Sequence, residues 1–288
     1  MRVKALILSF LFVFSFSSCD EDGNLDLRKL FTESDNAGGL KEALKVGTRS
    51  ATALLGAEDG YLKDQAVKIL LPEEAQITFK AIDAITKNAT VKAAVELLGV
   101  KITDGLQNTL EVAFNRAAEK AAPEAVGVFV NTITGMTISD ATNILFSSNN
   151  RAATDYLHTN SYAGLQSAFN PIINESMKTV NVTIGSDSYD ALEAWAFFAD
   201  YNNQLADVIS SPTVQTAISA AKLLGLTNAQ IETINSVKTI DANLGDYVVG
   251  KALDGIFTKV GDEEHKIRTD TSARTTDILK DIFGQLDK

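Results

Sequence analysis

The sequence predicts an all-α protein: a single multi-helix bundle domain around a buried C-terminal helix, with at most a short extended segment near residues 67–72. Three observations lead there. Apolar residues recur at helical spacing through most of the 288 residues, and the breaks between these runs carry helix punctuation such as Ser-Pro, Gly-Leu-Thr and Ser-Ser-Asn-Asn. No long Pro/Gly/Ser linker divides the chain, and its length is ample for one core. The stretch Asn243–Arg268 is apolar on nearly every side in its first half, with Val249, Leu253, Ile256, Phe257 and Val260 on one face and Leu244, Tyr247 and Val248 covering much of the other. A helix of that kind has to be surrounded. After Gly261 its pattern turns charged, with Glu264 four residues before Arg268 and Asp262 four before Lys266, which predicts that its second half emerges into solvent.

The N-terminus reads as an export signal over residues 1–18. Arg2 and Lys4 form a basic start, Ala5 to Phe16 is apolar, and Phe16-Ser17-Ser18-Cys19 closes the run with small residues. The apolar run is shorter than the ~20 residues of a membrane-spanning helix. Cys19 is the only cysteine, so a structural disulfide within the chain is excluded. A single cysteine directly after the apolar core resembles the lipobox of bacterial lipoproteins, with Phe16 where that box carries Leu, and predicts acylation of Cys19 and attachment to the membrane through it. The alternative is an ordinary secretory signal with an incidental cysteine. Residues 19–37 then form anchor and tether, and 38–288 the helical domain. Asp20-Glu21-Asp22 is either a solvated spacer or an address, since acidic residues behind the cysteine resemble the surface-export signal of Bacteroidetes lipoproteins. The expected location is thus the outer membrane, on its periplasmic face or at the cell surface.

Within the domain, Leu40–Gly56 carries an apolar stripe ending at Gly56. Asp59-Gly60-Tyr61-Leu62 reads as a turn, and Val67–Pro72 is too short and β-branched for a helix, so it is expected to lie extended across the bundle. Pro72 with Glu73 and Glu74 suits a helix start. Periodicity then predicts helices over Glu73–Asn88, Val91–Gly99, Thr103–Ala122, Glu124–Thr134 (opened by Pro123), Ser139–Phe146 (capped by Thr137 with Asp140), Arg151–His158 (capped by Asn150) and Tyr162–Val180, the last kinked or divided by Pro171. Asn181–Ser188 is polar and β-leaning and separates the two halves. Beyond it, helices are expected over Tyr189–Ile209, Thr213–Leu224, Asn228–Val237 (capped by Thr227), Asn243–Arg268 and Ser272–Phe283, the last with Ile278, Leu279 and Ile282 inward.

Charge and motifs exclude several function classes. The chain carries 26 basic against 37 acidic residues, a net of −11, and loses Arg2 and Lys4 with the signal. Such a surface repels phosphate backbones, so nucleic acid is not an expected partner. His158, at a helix end, and His265, in a charged run, are the only histidines, and no Gly-x-Ser-x-Gly, Gly-x-Gly-x-x-Gly or Walker-type pattern occurs. Glu263-Glu264-His265 are adjacent and point to different sides of a helix, which is not metal-ligand spacing. No catalytic residue, metal or cofactor is therefore predicted. Polar residues inside apolar stretches remain: Arg116, Glu119, Lys251, Asp254 and Tyr247. Arg116 and Glu119 are three apart and can pair, while Asp254 interrupts the most apolar helix and is expected to be buried with Arg116 or Lys251 as partner. These residues form either a structural ion-pair network or the polar end of a ligand cleft. Trp195, Phe197, Phe198 and Tyr201 read as core rather than ligand cage.

Several blocks resemble an uncharacterised bacterial envelope family, the domain-of-unknown-function family 4197. They are Gly39–Leu44, Leu55-Gly56, Asp59–Leu62, Lys68–Pro72, Asn115–Glu119, Met136-Thr137 with Asp140-Ala141, Ala152–Tyr156, Pro171–Ile173, Asp246–Val248, Lys251–Phe257, Glu263-Glu264 and Ile267-Arg268. The resemblance runs in order from about Gly38 to Phe283, and the stretch from Val182 to Ala242 is longer than the family pattern. It implies a helical exported protein and brings no catalytic residues with it. The leading expectation is a structural or interaction module with an envelope protein as candidate partner. The alternatives are a carrier of a small amphipathic ligand between helices and an unrecognised hydrolase. A closed bundle favours the first, an apolar cavity of several hundred Å3 the second, and convergent carboxylates the third.

Overall fold

The computed structural model describes residues 32–99, 106–184 and 186–287. Cys19, the export signal over 1–18 and Asp20–Asp22 lie outside them, as does the start of the helix expected from Thr103. Among the described residues the fold is all-α apart from one small hairpin. The helices are α1 (Glu33–Gly56), α2 (Glu73–Thr86), α3 (Ala89–Leu97), α4 (Leu106–Ala121), α5 (Ala125–Gly135), α6 (Ile138–Leu145), α7 (Ala152–Lys178), α8 (Ala191–Ser210), α9 (Pro212–Leu223), α10 (Asn228–Asn235), α11 (Gly245–Thr269) and α12 (Asp277–Gly284), with β1 (Asn181–Ile184) and β2 (Asp187–Asp190) between α7 and α8.

α11 lies along α7 and α1, and α4 lies against α7; α1 also packs on α5, α6 and α12. A second group joins α2 to α10 and α3 to α9, with α8 bridging it to α4 and α7. The core runs continuously through both groups: Leu55, Phe114, Phe129, Leu157, Phe169, Val248 and Ile256 are each fully buried. Phe198 stacks on Phe79 at 4.7 Å, and Trp195 meets Phe114 edge-on at 6.5 Å. Trp195, Phe198 and Tyr201 are core residues, whereas Phe197 faces outward.

Local chemistry sets the helix ends. Thr32 and Asp35 form a capping box, the Asp35 amide donating to Thr32 Oγ1 at 3.2 Å and the Thr32 amide to Asp35 Oδ2 at 3.0 Å. α1 therefore begins at Glu33, seven residues before the expected Leu40, and the tether expected to run to residue 37 gives up its last turn to the domain. Ala37 is buried there, and Asn36 accepts from Gln285 Nε2 at 3.0 Å. Thr137 with Asp140 caps α6 and Thr227 caps α10 as expected, and Gln230, not singled out from the sequence, completes a capping box at Thr227. Asn149, rather than Asn150, serves the start of α7, its Oδ1 accepting from the Arg151 amide at 2.9 Å.

Three expectations change. The helices expected over Arg151–His158 and Tyr162–Val180 are one 27-residue helix, α7, running through Pro171. The polar interval read as a break stays helical because Thr159, Asn160 and Ser161 donate back to carbonyls of the preceding turn, those of Asp155, Tyr156 and Leu157. His158 consequently sits mid-helix beside Tyr162 and Phe257 rather than at a helix end. The β-leaning interval forms an antiparallel hairpin that extends to Asp190, Val182 opposite Tyr189, so the helix expected from Tyr189 starts at Ala191; Val182 is buried against α4 and α8. At the C-terminus, residues 271–273 are a 3-10 turn and α12 starts at Asp277; Leu279, Ile282 and Phe283 face inward while Ile278 is exposed.

α11 differs from expectation at both ends of its length. It is amphipathic throughout rather than surrounded in its first half, since Lys251, Asp254, Asp262 and His265 form an exposed stripe at helical spacing. Its second half does not emerge: Glu264, Ile267 and Arg268 are buried on the opposite side.

Candidate functional site

α4 carries three buried polar residues at four-residue spacing, Glu111, Asn115 and Glu119, which puts them on one face. That face meets the connection between α1 and α2, residues 57–72, which crosses the bundle as a strap. The Asn115 amide pairs with the backbone of Ile69 as a neighbouring strand would, Oδ1 accepting from its N–H at 2.9 Å and Nδ2 donating to its carbonyl at 2.8 Å. The segment expected to lie extended over 67–72 is thus fixed to α4 at Ile69 without belonging to a sheet, while Val67 still closes a turn, its amide donating to the Asp64 carbonyl at 3.1 Å. Glu119 Oε1 accepts from the amides of Tyr61 and Leu62, each at 3.2 Å, and Oε2 accepts from Arg116 Nη1 at 2.6 Å. Arg116 reaches on to Asp59 Oδ1 at 2.7 Å. Asp59 adopts a left-handed backbone with φ of 68°, a conformation Asp tolerates better than most residues. Lys63, first, and then Arg116 hold the Asp59 carboxyl below its ordinary value by hydrogen bonding.

The other edge of the strap is fastened to α11. Tyr61 Oη donates to the Ala252 carbonyl at 2.7 Å, and burial pushes its phenol far above the ordinary value, so it stays a donor. Gly255 makes this approach feasible: a Cβ there would lie 2.5 Å from Tyr61 Cε1. Tyr247 Oη donates to the Leu70 carbonyl at 3.0 Å, and Lys259 pairs with Asp64 at 2.6 Å. The Tyr247 phenol is pushed up to about 12, first by burial and then by the charges of Glu74, Glu111 and Asp254.

A second polar cluster lies at the far end of α11. Glu264 Oε1 accepts from the Ala153 amide at 3.1 Å and from Arg268 Nε at 2.9 Å, and its Oε2 accepts from the Thr154 amide and hydroxyl, both at 2.8 Å. Arg268 Nη1 and Nη2 donate to the carbonyls of Leu145 and Ile144, at 3.2 and 2.9 Å. One ion pair at i, i+4 on α11 thus caps the C-terminus of α6 with its cation and the N-terminus of α7 with its anion, each matched to the sign of the helix dipole. Arg274 adds bonds from Nε to the Ile267 carbonyl and from Nη2 to that of Arg268, and pairs with Asp287. Gly261 lets Arg151 cross α11 close enough to donate to the Phe257 carbonyl, because any Cβ there would overlap its guanidinium.

Of the residues singled out from sequence, Arg116 and Glu119 pair as predicted, and Tyr247 is half-buried at the strap. Asp254 is exposed and bonded to exposed Lys251 at 3.3 Å, so neither the expected burial nor a link to Arg116 is found. It belongs to the solvent stripe of α11, which the surrounding small and apolar residues disguise in the sequence. Sequence reasoning missed Asp59, Asn115, Thr154 and Arg274; the i, i+4 spacing of Glu264 and Arg268 was visible, but not their burial.

Beside Glu264 and Arg268 the core holds a cavity of about 20 Å3, lined also by Leu40, Thr48 and Val260, room for a single water. Larger hollows open to the surface. One, of about 450 Å3, lies between α1 and the start of α5 near Arg49 and Pro123. Another, of about 290 Å3, lies between the strap, α8 and the segment 239–244, around Trp195, Tyr247 and Leu244. Among the described residues no group of three or more His, Cys, Asp or Glu is placed to hold a metal ion, and no helix is long and apolar enough to cross a membrane.

No curated protein and no solved structure matches the chain. A family model described as "Protein of unknown function (DUF4197)" matches residues 30–210 and 194–284. The two matched spans overlap over residues 194–210, within α8. Segments that carry the resemblance, Asp59–Leu62, Asn115–Glu119 and Lys251–Phe257, meet at the strap, and Ala152–Tyr156 meets Glu264 and Arg268 at the second cluster. Spanning the fold from α1 to α12, that match places the chain in the DUF4197 family.

Proposed function

We propose that the protein is a lipid-anchored interaction module of the bacterial outer membrane, held through acylated Cys19 and acting by contact rather than by catalysis. The observation that carries this reading is how the buried polar residues are used. Glu119 and Glu264 accept three and four hydrogen bonds from within the fold, and Asn115 is engaged through both its oxygen and its nitrogen. Groups occupied in this way set helix positions and leave no converging pair for acid–base work. Between the core helices the cavity beside Glu264 and Arg268 holds only about one water, too little for an amphipathic ligand, and the hollows of about 450 and 290 Å3 open to the surface instead of lying enclosed in the core. The lipobox-like approach to Cys19, and acidic Asp20–Asp22 behind it, support an anchored domain displayed on either face of the outer membrane.

Replacing Cys19 with Ser should move the protein from the membrane to the soluble fraction, because each acyl methylene contributes ~0.8 kcal/mol to membrane binding. A variant still partitioning with membranes contradicts the anchor. Chemical cross-linking of intact cells should give a discrete heteromeric adduct of the native protein; a chain recovered free contradicts the interaction reading.

A further inference from the structure

We infer that the surface groove between the strap, α8 and residues 239–244 receives an arginine or lysine side chain presented by a partner protein. This names the chemistry of one contact and rests on the interaction-module reading. The groove's volume of about 290 Å3 sits at the small end of ligand sites and suits one long side chain better than a folded element. Trp195 and Leu244, each 2% exposed, lie deepest, and half-buried Ile240 and Tyr247 continue the apolar surface. Such a surface packs the methylene stem of a long basic side chain, and the Tyr247 ring attracts its cationic head. The rim is acidic: Glu74 and Asp241 are exposed, and no basic residue lines the groove.

Two details fix the sign. Asp241 is held in place by its own backbone, whose carbonyl accepts from Trp195 Nε1 at 3.0 Å, and its Oδ1 accepts from the Asn243 amide at 2.8 Å; its Oδ2 is left for an incoming donor. Lys251 is the cation near Tyr247, 6.0 Å from the ring centre, and is bonded to Asp254. After burial, the charges that raise the Tyr247 phenol are those of Glu74, Glu111 and Asp254; Glu111 is paired with Lys68 at 3.5 Å and Asp254 with Lys251, which leaves Glu74 as the carboxylate at the rim beside this ring. With a chain net charge of −11, an anionic ligand is disfavoured here and a cationic one is drawn in.

The chain's single tryptophan lines the groove, so its fluorescence is the reporter. The full-length protein is titrated with the peptide Gly-Arg-Gly, with the same peptide carrying uncharged citrulline, and with tetramethylammonium. The expected result is a saturable change in Trp195 emission with the arginine peptide, no saturable change with citrulline, and an affinity roughly tenfold weaker in the E74Q/D241N variant, as two rim charges are removed. Both positions are exposed, so the variant should keep the parent's circular dichroism and melting temperature. A flat titration, an equal response to citrulline, or an unchanged affinity in the variant overturns the assignment. Tetramethylammonium binding as tightly as the arginine peptide overturns it in favour of a small free ammonium ligand. None of these failures touches the interaction-module reading, which stands or falls on the cross-linking result.

Discussion

Glu264 gathers four donors at a position only 7% exposed, two from the first turn of α7, one from the Thr154 hydroxyl and one from its own helix. A carboxylate can satisfy all four, because both oxygens accept. An amide in its place presents an N–H2 group to donors and leaves Arg268 partly unpaired. Asp254 illustrates the opposite case. It is exposed, and its bond to Lys251 is a surface pair worth at most about 1 kcal/mol. Asp254→Asn should therefore melt within ~0.5 kcal/mol of the parent in thermal unfolding followed by circular dichroism, and a clear loss would restore the buried reading of that residue. Local spacing makes pairs such as Arg116–Glu119 and Glu264–Arg268 visible in the sequence. Their environments are not visible, because the groups that bury them, the amides of Tyr61 and Thr154 and the carbonyl of Leu145, lie 58 or more residues away along the chain.

At the scale of elements, helix ends were legible at several caps and breakers, though Pro171 divides nothing and α7 runs through it. Ser211-Pro212 and Thr227 place α9 and α10 closely, and Pro72 marks the start of α2. The errors arise where polar side chains have two options. Thr159, Asn160 and Ser161 look like a turn but bond back into α7, and Thr32 with Asp35 starts α1 ahead of the apolar stripe. The strap was legible as extended, but its fastenings to α4 and α11 come from long-range pairing. One of them titrates. Asp64 is held below its ordinary value of 3.8, first by the hydrogen bond from Lys259 and then by the Ala66 amide. A lowered folded-state pKa means a stabilisation fully present above 3.8 and lost as pH falls through the folded value. Asp64→Asn should accordingly melt slightly below the parent at neutral pH, with the gap closing well below that value. A gap that persists in acid would show that Asp64 acts through something other than its charge.

For the molecule as a whole, the all-α class and most of the core followed from periodicity, while the candidate site did not, because a site of this kind is made by elements meeting. Two clusters organise the bundle, one stitching the strap between α4 and α11 and one joining α11 to the ends of α6 and α7. On the function proposed above, these buried charges serve the architecture and a partner would be met at the surface. Thermal unfolding of Glu264→Gln tests this most directly. Breaking a buried, hydrogen-bonded pair typically costs about 3–5 kcal/mol, which for a domain of this size lowers the melting temperature by roughly 6–15 °C. The account predicts a fall of that order, with Arg268→Met giving a similar fall and the two together less than their sum. A Glu264→Gln protein that melts like the parent would contradict it, and would show that the cluster was kept for chemistry rather than for the fold.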